Sequence, residues 1–377
     1  MVLIPKQFFL QLLSVCPFVC LFRLISEMLV LNDAKSFQFC DEKDGGKAYR
    51  LALNDGNHIP SIGLGTFLGF DDVSVYSSIG TAVPVCNGSI TWTNGELIDT
   101  AALYHNEDQV GLGVRASSVP REDVFVVTKL PSNEHRDVVG SLKKSLTRLN
   151  MSYVDLYLIH FPISDKPDFS GYDIIDYLDT WRGMEQTKKL GLAKSIGVSN
   201  FNTSQIERIL ANCEIKPAVL QVEVCITLYI LWVNLNLAQE KVIDFCKRHD
   251  MVVMAYTPFG SLFEKSQVPP APRADHPTLV DIAKKYNKST PQIVLRYLVQ
   301  RGVVPIPKSI KKNRIEENID IFDFELTPEE MTTLSKFNKD YRSVNVSFWQ
   351  DHPYYPYERQ DVPVASPFEP KQKDKKE

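Results

Sequence analysis

The chain has 377 residues, of which 44% are hydrophobic and 23% charged, a composition that excludes disordered, collagen-like and low-complexity proteins. Its 42 basic and 46 acidic residues give a net charge of −4, so we expect no nucleic-acid partner. The seven cysteines are scattered without metal-type spacing, which indicates neither a metal site nor a disulfide framework. We therefore expect a reducing, cytoplasmic location.

Residues 1–48 are interpreted as an N-terminal extension that is signal-like or foreign to the folded domain and poorly ordered. An apolar run over residues 7–22 follows Lys6, as in the first two regions of a signal peptide. Gln7, Gln11 and Pro17 interrupt it, and it is shorter than the roughly 20 residues needed to span a bilayer. Membrane attachment is not expected, and a secretory or membrane-associated location is the alternative. At the other end, residues 358–377 are predicted to be a polar tail.

Between these ends, residues 49–357 are predicted to form one domain in which strands alternate with helices. The candidate strands are β-branched and in several cases apolar throughout, as parallel strands covered on both faces should be. They fall at 62–65, 97–99, 124–128, 154–160, 195–199, 219–223, 252–256 and 303–306. Helix signals occur at 136–149, before Gly191, from Thr203, at 278–285 and at 290–301.

Eight strands that are mostly followed by helices predict a single (β/α)8 TIM barrel. A doubly wound sheet is the alternative. It is disfavoured because no G-x-G-x-x-G motif follows the first strand: the run from Gly63 and Gly65 to Phe67 lacks the third glycine and the acidic ribose partner of a dinucleotide-binding fold. An aromatic, proline-rich segment at 345–357 is predicted to be an extended C-terminal substrate loop.

Chemistry in such a barrel collects at the carboxyl ends of the strands. Asp99, Lys129 and His160 end three successive strands, and Tyr104 lies in the loop after Asp99. An ammonium group near a phenol favours the phenolate, so Lys129 is expected to lower the pKa of Tyr104. Asp99 would keep Lys129 charged, and His160 would donate to a carbonyl oxygen on which charge develops. The four residues together predict a proton-transfer site.

Longer motifs at 53–67, 98–107, 110–111, 155–160, 197–202 and 306–309 resemble the aldo-keto reductase superfamily. This resemblance covers about residues 50–357. It implies NADPH-dependent reduction of a small-molecule carbonyl substrate on a (β/α)8 barrel, by an enzyme that we expect to be a monomer. It also implies that Tyr104 is the general acid and that Lys129, Asp99 and His160 support it.

The same resemblance implies a set of cofactor-binding residues from motif positions along the barrel. They are Gly65, Thr66, Phe67, Ser199, Asn200, Gln221, Tyr256, Thr257, Lys308, Ser309, Arg314, Glu317 and Asn318. Thr257 stands where the family usually has serine and preserves a hydroxyl group. Lys308 and Arg314 are the cations that a 2′-phosphate requires, so NADPH is expected over NADH.

The substrate is predicted less directly. The steroid double-bond reductases of this superfamily have glutamate where His160 stands, so reduction of a ketone or aldehyde is expected. Phe259 and Trp349 are predicted to line an apolar substrate site. The chain is also similar to the ecdysteroid ketone reductases, which implies a 3-ketosteroid such as a 3-dehydroecdysteroid.

Two internal stretches depart from the family pattern. Residues 71–96 contain Gly80, Pro84 and Gly88 where the first barrel helix is expected. Residues 225–233 form an apolar, β-prone insert at the barrel mouth, between Val224 and Asn234. We interpret both stretches as translated intron or alternative-splice sequence. The alternative function is therefore an NADPH-binding barrel or splice isoform that is catalytically impaired and acts as a binding or regulatory module.

Overall fold

The computed structural model describes residues 48–67, 97–117, 119–223, 239–263, 273–337 and 346–359. Several predictions lie outside these ranges: nearly all of the N-terminal extension, the atypical stretches at 71–96 and 225–233, and residues 360–377 of the tail. No helix in the described ranges is long and apolar enough to cross a membrane.

Ten strands are described, and eight of them form one parallel sheet in chain order. The other two form an antiparallel hairpin that precedes the sheet. The hairpin consists of β1 (Arg50–Ala52) and β2 (His58–Pro60). The sheet consists of β3 (Gly63–Gly65), β4 (Leu97–Asp99), β5 (Phe125–Leu130), β6 (Val154–Ile159), β7 (Ala193–Ser199), β8 (Val219–Glu223), β9 (Val252–Tyr256) and β10 (Val303–Ile306).

The sheet curves back so that its first and last strands meet. The backbone N–H of Gly65 donates to the carbonyl oxygen of Pro307 at 3.1 Å, and Gly65 bridges Lys308 in parallel. This contact closes the strands into a nearly complete barrel and confirms the predicted (β/α)8 fold. β5 and β6 are buried at every residue, as parallel strands between a filled interior and outer helices should be.

The hairpin was not foreseen from the sequence. Its residues Leu51 and Ile59 pack with Leu97 and Phe125, the first residues of β4 and β5, in one buried cluster. The hairpin therefore covers the amino-terminal end of the barrel, the end opposite the candidate site.

Helices follow the strands and cover the outside of the barrel. They are α1 (Glu107–Ala116), α2 (Val138–Leu149), α3 (Tyr177–Lys189), α4 (Thr203–Leu210), α5 (Glu240–Arg248), α6 (Pro277–Tyr286), α7 (Thr290–Gln300), α8 (Lys312–Ile319) and α9 (Pro328–Ser335).

The second helix shows how local sequence sets these elements. Asp137 caps α2 by accepting a hydrogen bond from the backbone N–H of Gly140 at 2.8 Å. Leu142, Leu146 and Leu149 recur at helical spacing and are buried against the barrel. Asn150 then adopts a left-handed conformation (φ 51°) that ends the helix, as the sequence predicted within two residues at either end.

Candidate active site

Four polar side chains meet at the carboxyl end of the barrel. Lys129, at the end of β5, places its Nζ atom 2.7 Å from the Oδ2 atom of Asp99 and 3.3 Å from the phenol oxygen of Tyr104. The His160 ring, just after β6, packs edge-on against the Tyr104 ring with centroids 5.7 Å apart. The four residues were predicted to be neighbours from their positions at or near strand ends, and the structure brings them together.

Asp99 is held from two sides inside the barrel. Its Oδ2 atom pairs with Lys129, and its Oδ1 atom accepts a hydrogen bond from the Gln221 amide at 2.6 Å. All three side chains are almost completely buried. A buried pair of charges is stabilising only when further hydrogen bonds satisfy it, and Gln221 and the carbonyl oxygen of Thr100, 2.9 Å from the Lys129 ammonium, provide them.

The charge of Lys129 is secured by its neighbours. Burial is the largest influence on the Lys129 ammonium and would lower its pKa, but Asp99 and Tyr104 together raise that pKa above its ordinary value. Lys129 is therefore a cation at neutral pH.

Burial overrides the effect that the sequence predicted for Lys129 on Tyr104. Burial is the largest influence on the Tyr104 phenol and raises its pKa above the ordinary value. Lys129 lowers the pKa of Tyr104, as expected, through its charge and its hydrogen bond. The charge of Asp99 raises that pKa together with burial, so the effect of Lys129 is outweighed. The predicted net lowering is wrong for this reason, and Tyr104 carries its proton at neutral pH.

His160 is a neutral imidazole at physiological pH. Burial, and then the charge of Lys129, hold its pKa well below the ordinary value. Its backbone N–H donates to the carbonyl oxygen of Leu130, and its carbonyl oxygen accepts from the Asn200 side chain at 2.9 Å. These contacts fix the backbone of His160 at the site, and its neutral ring can donate one hydrogen bond.

The loop that presents Tyr104 is fixed by a short polar network that the sequence analysis missed. The Thr66 hydroxyl donates to the carbonyl oxygen of Asp99 at 3.0 Å, and the Asn106 amide donates to the carbonyl oxygen of Thr66 at 3.0 Å. The Thr100 hydroxyl donates to the Asn106 side chain at 2.8 Å. Asn106 and Thr100 are therefore positioning residues, and no spacing in the sequence singled them out.

The predicted cofactor residues after β3 line the barrel mouth beside Tyr104. Gly65 has no room for a side chain, because a Cβ atom there would come within 2.9 Å of the carbonyl oxygen of Ile306. Thr66 is buried, whereas Phe67 is 55% exposed with its ring centroid 4.9 Å from that of Tyr104. A flat, exposed aromatic surface thus lies directly beside the phenol.

A second group of predicted cofactor residues lies at the ends of β7, β8 and β9. The Tyr256 hydroxyl donates to the Asn200 side chain at 2.8 Å, and the Asn200 amide donates to the Ser199 hydroxyl at 3.1 Å. Asn200 and Thr257 both have left-handed backbones, with φ of 61° and 52°. Asparagine adopts this conformation readily, but for the β-branched Thr257 it costs free energy, so the surrounding structure must hold it in place.

A third group follows β10 and occupies α8. Lys308 and Arg314 are exposed cations, and neither has an acidic partner within ion-pair distance in the described part of the chain. Ser309 accepts from the backbone N–H of Lys311 at 3.1 Å, Glu317 is half-buried, and Asn318 is buried. This group therefore offers unpaired positive charge at one edge of the mouth.

The C-terminal segment, residues 346–359, folds over the mouth from the opposite side. The Asn202 and Gln205 amides at the start of α4 donate to the carbonyl oxygens of Pro356 and Tyr354, at 3.0 and 2.9 Å. Trp349 packs against Phe161 with ring centroids 4.9 Å apart, and Phe161 stacks on His160 at 5.2 Å. An aromatic wall therefore runs from His160 to Trp349.

Phe259 occupies a different environment. It is half-buried and packs against a core cluster of Ile62, Leu295, Val299 and Ile321. Trp349 lies on the aromatic wall, and a substrate contact for Phe259 stays a prediction. The described residues contain no group of three or more histidine, cysteine or acidic side chains that could hold a metal ion.

Comparison with known proteins places the chain in one family. The model of the aldo/keto reductase family matches residues 62–339. The chain is 46% identical over 316 residues to the aldo-keto reductase AKR2E4 of Bombyx mori. This alignment covers 81% of this chain and 97% of that protein. It is 40% identical over 331 residues to estradiol 17 beta-dehydrogenase 5 of Mus musculus, covering 82% of this chain and 98% of that one.

A solved structure of a relative has the same fold. The crystal structure of Bombyx mori AKR2E4 in complex with NADP superposes with a TM-score of 0.73 and 44% identity, over 82% of this chain and 99% of that chain. The chain therefore belongs to the aldo/keto reductase family, which confirms the family resemblance and the class of oxidoreductase that the motifs predicted.

Proposed function

We propose that this chain reduces an aldehyde or a ketone to the corresponding alcohol with NADPH, and that Tyr104 is the proton donor. The main support is the 3.3 Å contact between the Tyr104 hydroxyl and the Lys129 ammonium. The Asp99 carboxylate forms an ion pair with this ammonium. A phenol that is protonated at neutral pH and touches a buried cation is suited to giving its proton to an oxygen on which negative charge develops.

The roles of the other residues follow from their contacts. The neutral His160 imidazole lies beside the Tyr104 ring and would hold the carbonyl oxygen by donating a hydrogen bond to it. When Tyr104 gives up its proton, the Lys129 charge stabilises the phenolate that results. Asp99 keeps Lys129 charged and oriented, and Gln221 keeps Asp99 in place.

The residues at the mouth fit a phosphorylated dinucleotide. Gly65 lets the backbone of that loop lie against the carbonyl oxygen of Ile306, where a Cβ atom would not fit, and the exposed Phe67 ring offers a surface for a flat group. Lys308 and Arg314 supply unpaired cations for a 2′-phosphate. When bound, NADPH would supply the hydride that reduces the carbonyl carbon. The structure of a related reductase in complex with NADP supports this assignment.

The substrate class is proposed from the wall beside His160. Three aromatic rings in contact, those of His160, Phe161 and Trp349, favour a flat, apolar substrate. A relative named estradiol 17 beta-dehydrogenase supports a steroid ketone. We therefore propose a 3-ketosteroid such as a 3-dehydroecdysteroid, with a cytoplasmic location and a monomeric state as further predictions from the sequence.

The test is NADPH oxidation by the full chain, with a simple aromatic aldehyde and a 3-ketosteroid offered separately. Turnover of the aldehyde is expected from the proton-donating site alone, and turnover of the steroid is expected from the aromatic wall. Binding of NADPH without turnover of either carbonyl would contradict the proposed reduction and favour an NADPH-binding module.

A further inference from the structure

A tyrosine of the C-terminal segment contacts one of the predicted cofactor residues. The Tyr357 hydroxyl donates to the side-chain oxygen of Asn200 at 3.0 Å. Asn200 follows β7 and is 2% exposed, so this hydrogen bond lies inside the barrel mouth. The C-terminal segment was predicted to contact the substrate, and the Tyr357 hydroxyl connects it to the cofactor side of the mouth as well.

The Asn200 amide joins several parts of the site. Its oxygen accepts from the Tyr256 hydroxyl at 2.8 Å as well as from Tyr357. Its nitrogen donates to the carbonyl oxygen of His160 at 2.9 Å and to the Ser199 hydroxyl at 3.1 Å. These hydrogen bonds occupy both lone pairs of the oxygen and both hydrogens of the nitrogen. The amide therefore has one orientation, because a flipped amide would place its oxygen against the carbonyl oxygen of His160.

The backbone and the ring of Tyr357 are held independently of its hydroxyl. The two side-chain amides at the start of α4 donate to the carbonyl oxygens of Pro356 and Tyr354, at 3.0 and 2.9 Å. The Tyr357 ring packs against a buried apolar cluster that includes Phe161. Removal of the hydroxyl alone should therefore leave the segment in place and take away its hydrogen bond to Asn200.

The groups that Asn200 connects serve the two reactants. Ser199 and Tyr256 belong to the predicted cofactor residues, whereas His160 is proposed to hold the carbonyl oxygen of the substrate. All three bond to the same amide, so a change in its orientation would move a cofactor contact and the His160 backbone together. Small displacements of this kind slow a reaction that depends on exact alignment.

From these contacts we infer that Tyr357 is a positioning residue for carbonyl reduction. Its hydroxyl fixes the Asn200 amide, and the amide in turn fixes the Ser199 hydroxyl and the backbone of His160. The C-terminal segment then contributes to the rate of the reaction as well as to the choice of substrate. This inference rests on the proposed function and adds a residue to the groups that support it.

Tyr357→Phe in the full chain tests the inference, because it keeps the ring and removes the hydroxyl. With an aromatic aldehyde we expect kcat to fall by about fivefold while the KM for the aldehyde changes by less than about twofold. The dissociation constant for NADPH, measured by quenching of tryptophan fluorescence, should rise by about threefold, because the amide holds its cofactor-side neighbours less firmly. A C-terminal segment that had merely loosened would instead raise the KM for the aldehyde.

Asn200→Gly provides the background that shows whether Tyr357 acts through Asn200. Glycine accepts the left-handed backbone of residue 200 (φ 61°) and removes the amide. In this background, the additional Tyr357→Phe substitution should change neither kcat nor the dissociation constant for NADPH by more than about twofold.

The matched control is Tyr172→Phe, because the Tyr172 hydroxyl also connects the C-terminal segment to the barrel, by donating to the carbonyl oxygen of Phe348 at 3.1 Å. It should keep the wild-type kcat and NADPH affinity. Wild-type values in Tyr357→Phe, an equal loss in Tyr172→Phe, or the same effect of Tyr357→Phe with and without the Asn200 amide would overturn the inference. Failure of the wild-type chain to reduce any carbonyl would contradict the proposed function, whereas the NADPH dissociation constants would still show whether Tyr357 acts through Asn200.

Discussion

At the scale of single residues, the protonation states of Tyr104 and His160 decide what the site can do. Burial keeps the phenol protonated and the imidazole neutral, so each can donate a hydrogen at neutral pH. Lys129 stays charged beside both of them because Asp99 is its buried partner. A proton donor, a hydrogen-bond donor and a fixed cation are therefore available at the same time.

These states predict the pH dependence of carbonyl reduction. The raised pKa of Tyr104 means that the donor loses its proton only above the ordinary tyrosine value of about 10. The lowered pKa of His160 means that it stays neutral well below about 6.5. The kcat/KM for a non-ionising aldehyde should thus be flat from about pH 6.5 to 9 and fall at higher pH. A fall centred between pH 7 and 8 would show that another group controls the reaction.

The residues of the site could be predicted from the sequence, but their pKa shifts could not. Asp99, Lys129, His160 and Tyr104 could be found because each lies at or just after a strand end, and barrel topology brings those ends together. The net pKa shift of Tyr104 could not be found, since it depends on how deeply the phenol is buried.

At the scale of elements, α8 and the end of β10 carry the two cations, Arg314 and Lys308, that we propose distinguish NADPH from NADH. Replacing both Lys308 and Arg314 with methionine should raise the KM for NADPH roughly tenfold or more while that for NADH changes little, because a 2′-phosphate loses two charge-assisted contacts. Steady-state rates with each cofactor measure the effect.

Lys312→Met is the matched control, since Lys312 is exposed on the same helix and lies 3.7 Å from Glu316. The KM for NADPH should be nearly unchanged in this variant. Equal increases in both KM values for the double variant would show that Lys308 and Arg314 support the loop rather than read the phosphate.

The strands and most helices could be predicted because their patterns are local. β4, β8, β9 and β10 have the predicted bounds, since short apolar runs flanked by turn residues define them. The hairpin of β1 and β2 could not be predicted in this way. Its three-residue strands are stabilised by Leu97 and Phe125 inside the barrel, and that contact is not visible in the local pattern.

At the scale of the whole molecule, two buried histidines connect the C-terminal segment to the barrel. His135 lies after β5 and His352 in the C-terminal segment, and both are almost completely buried. Burial lowers the pKa of His352 to about 4. Burial, followed by the charge of His352, lowers the pKa of His135 to about 3. Asp173 opposes the shift of His135. Both histidines are therefore neutral in the folded chain at physiological pH.

This neutrality predicts the acid stability of the protein. The unfolded chain binds protons at these histidines below about pH 6.5, whereas the folded chain does not until about pH 4, so the free energy of unfolding should fall across that window. In His352→Gln the fall should be smaller by on the order of 2 kcal/mol, because glutamine has no proton to bind.

Urea unfolding at pH 7 and pH 4.5 measures this difference. His58→Gln is the control, since His58 is exposed on β2 and should leave the acid-induced loss at its wild-type size. A His352→Gln chain that loses as much stability as the wild type would show that His352 does not contribute to the acid sensitivity.

The proposed reduction requires Tyr104 to give its proton to the carbonyl oxygen, and the Tyr104→Phe variant is the first measurement we would make. The substitution removes only the hydroxyl and keeps the ring that packs on Phe67 and His160. We expect kcat for aldehyde reduction to fall by about a hundredfold or more while NADPH binding is retained. Tyr157→Phe, which removes a buried phenol of β6 lying 3.5 Å from Ser141, should keep wild-type turnover. Turnover by Tyr104→Phe within a few fold of the wild type would contradict the account.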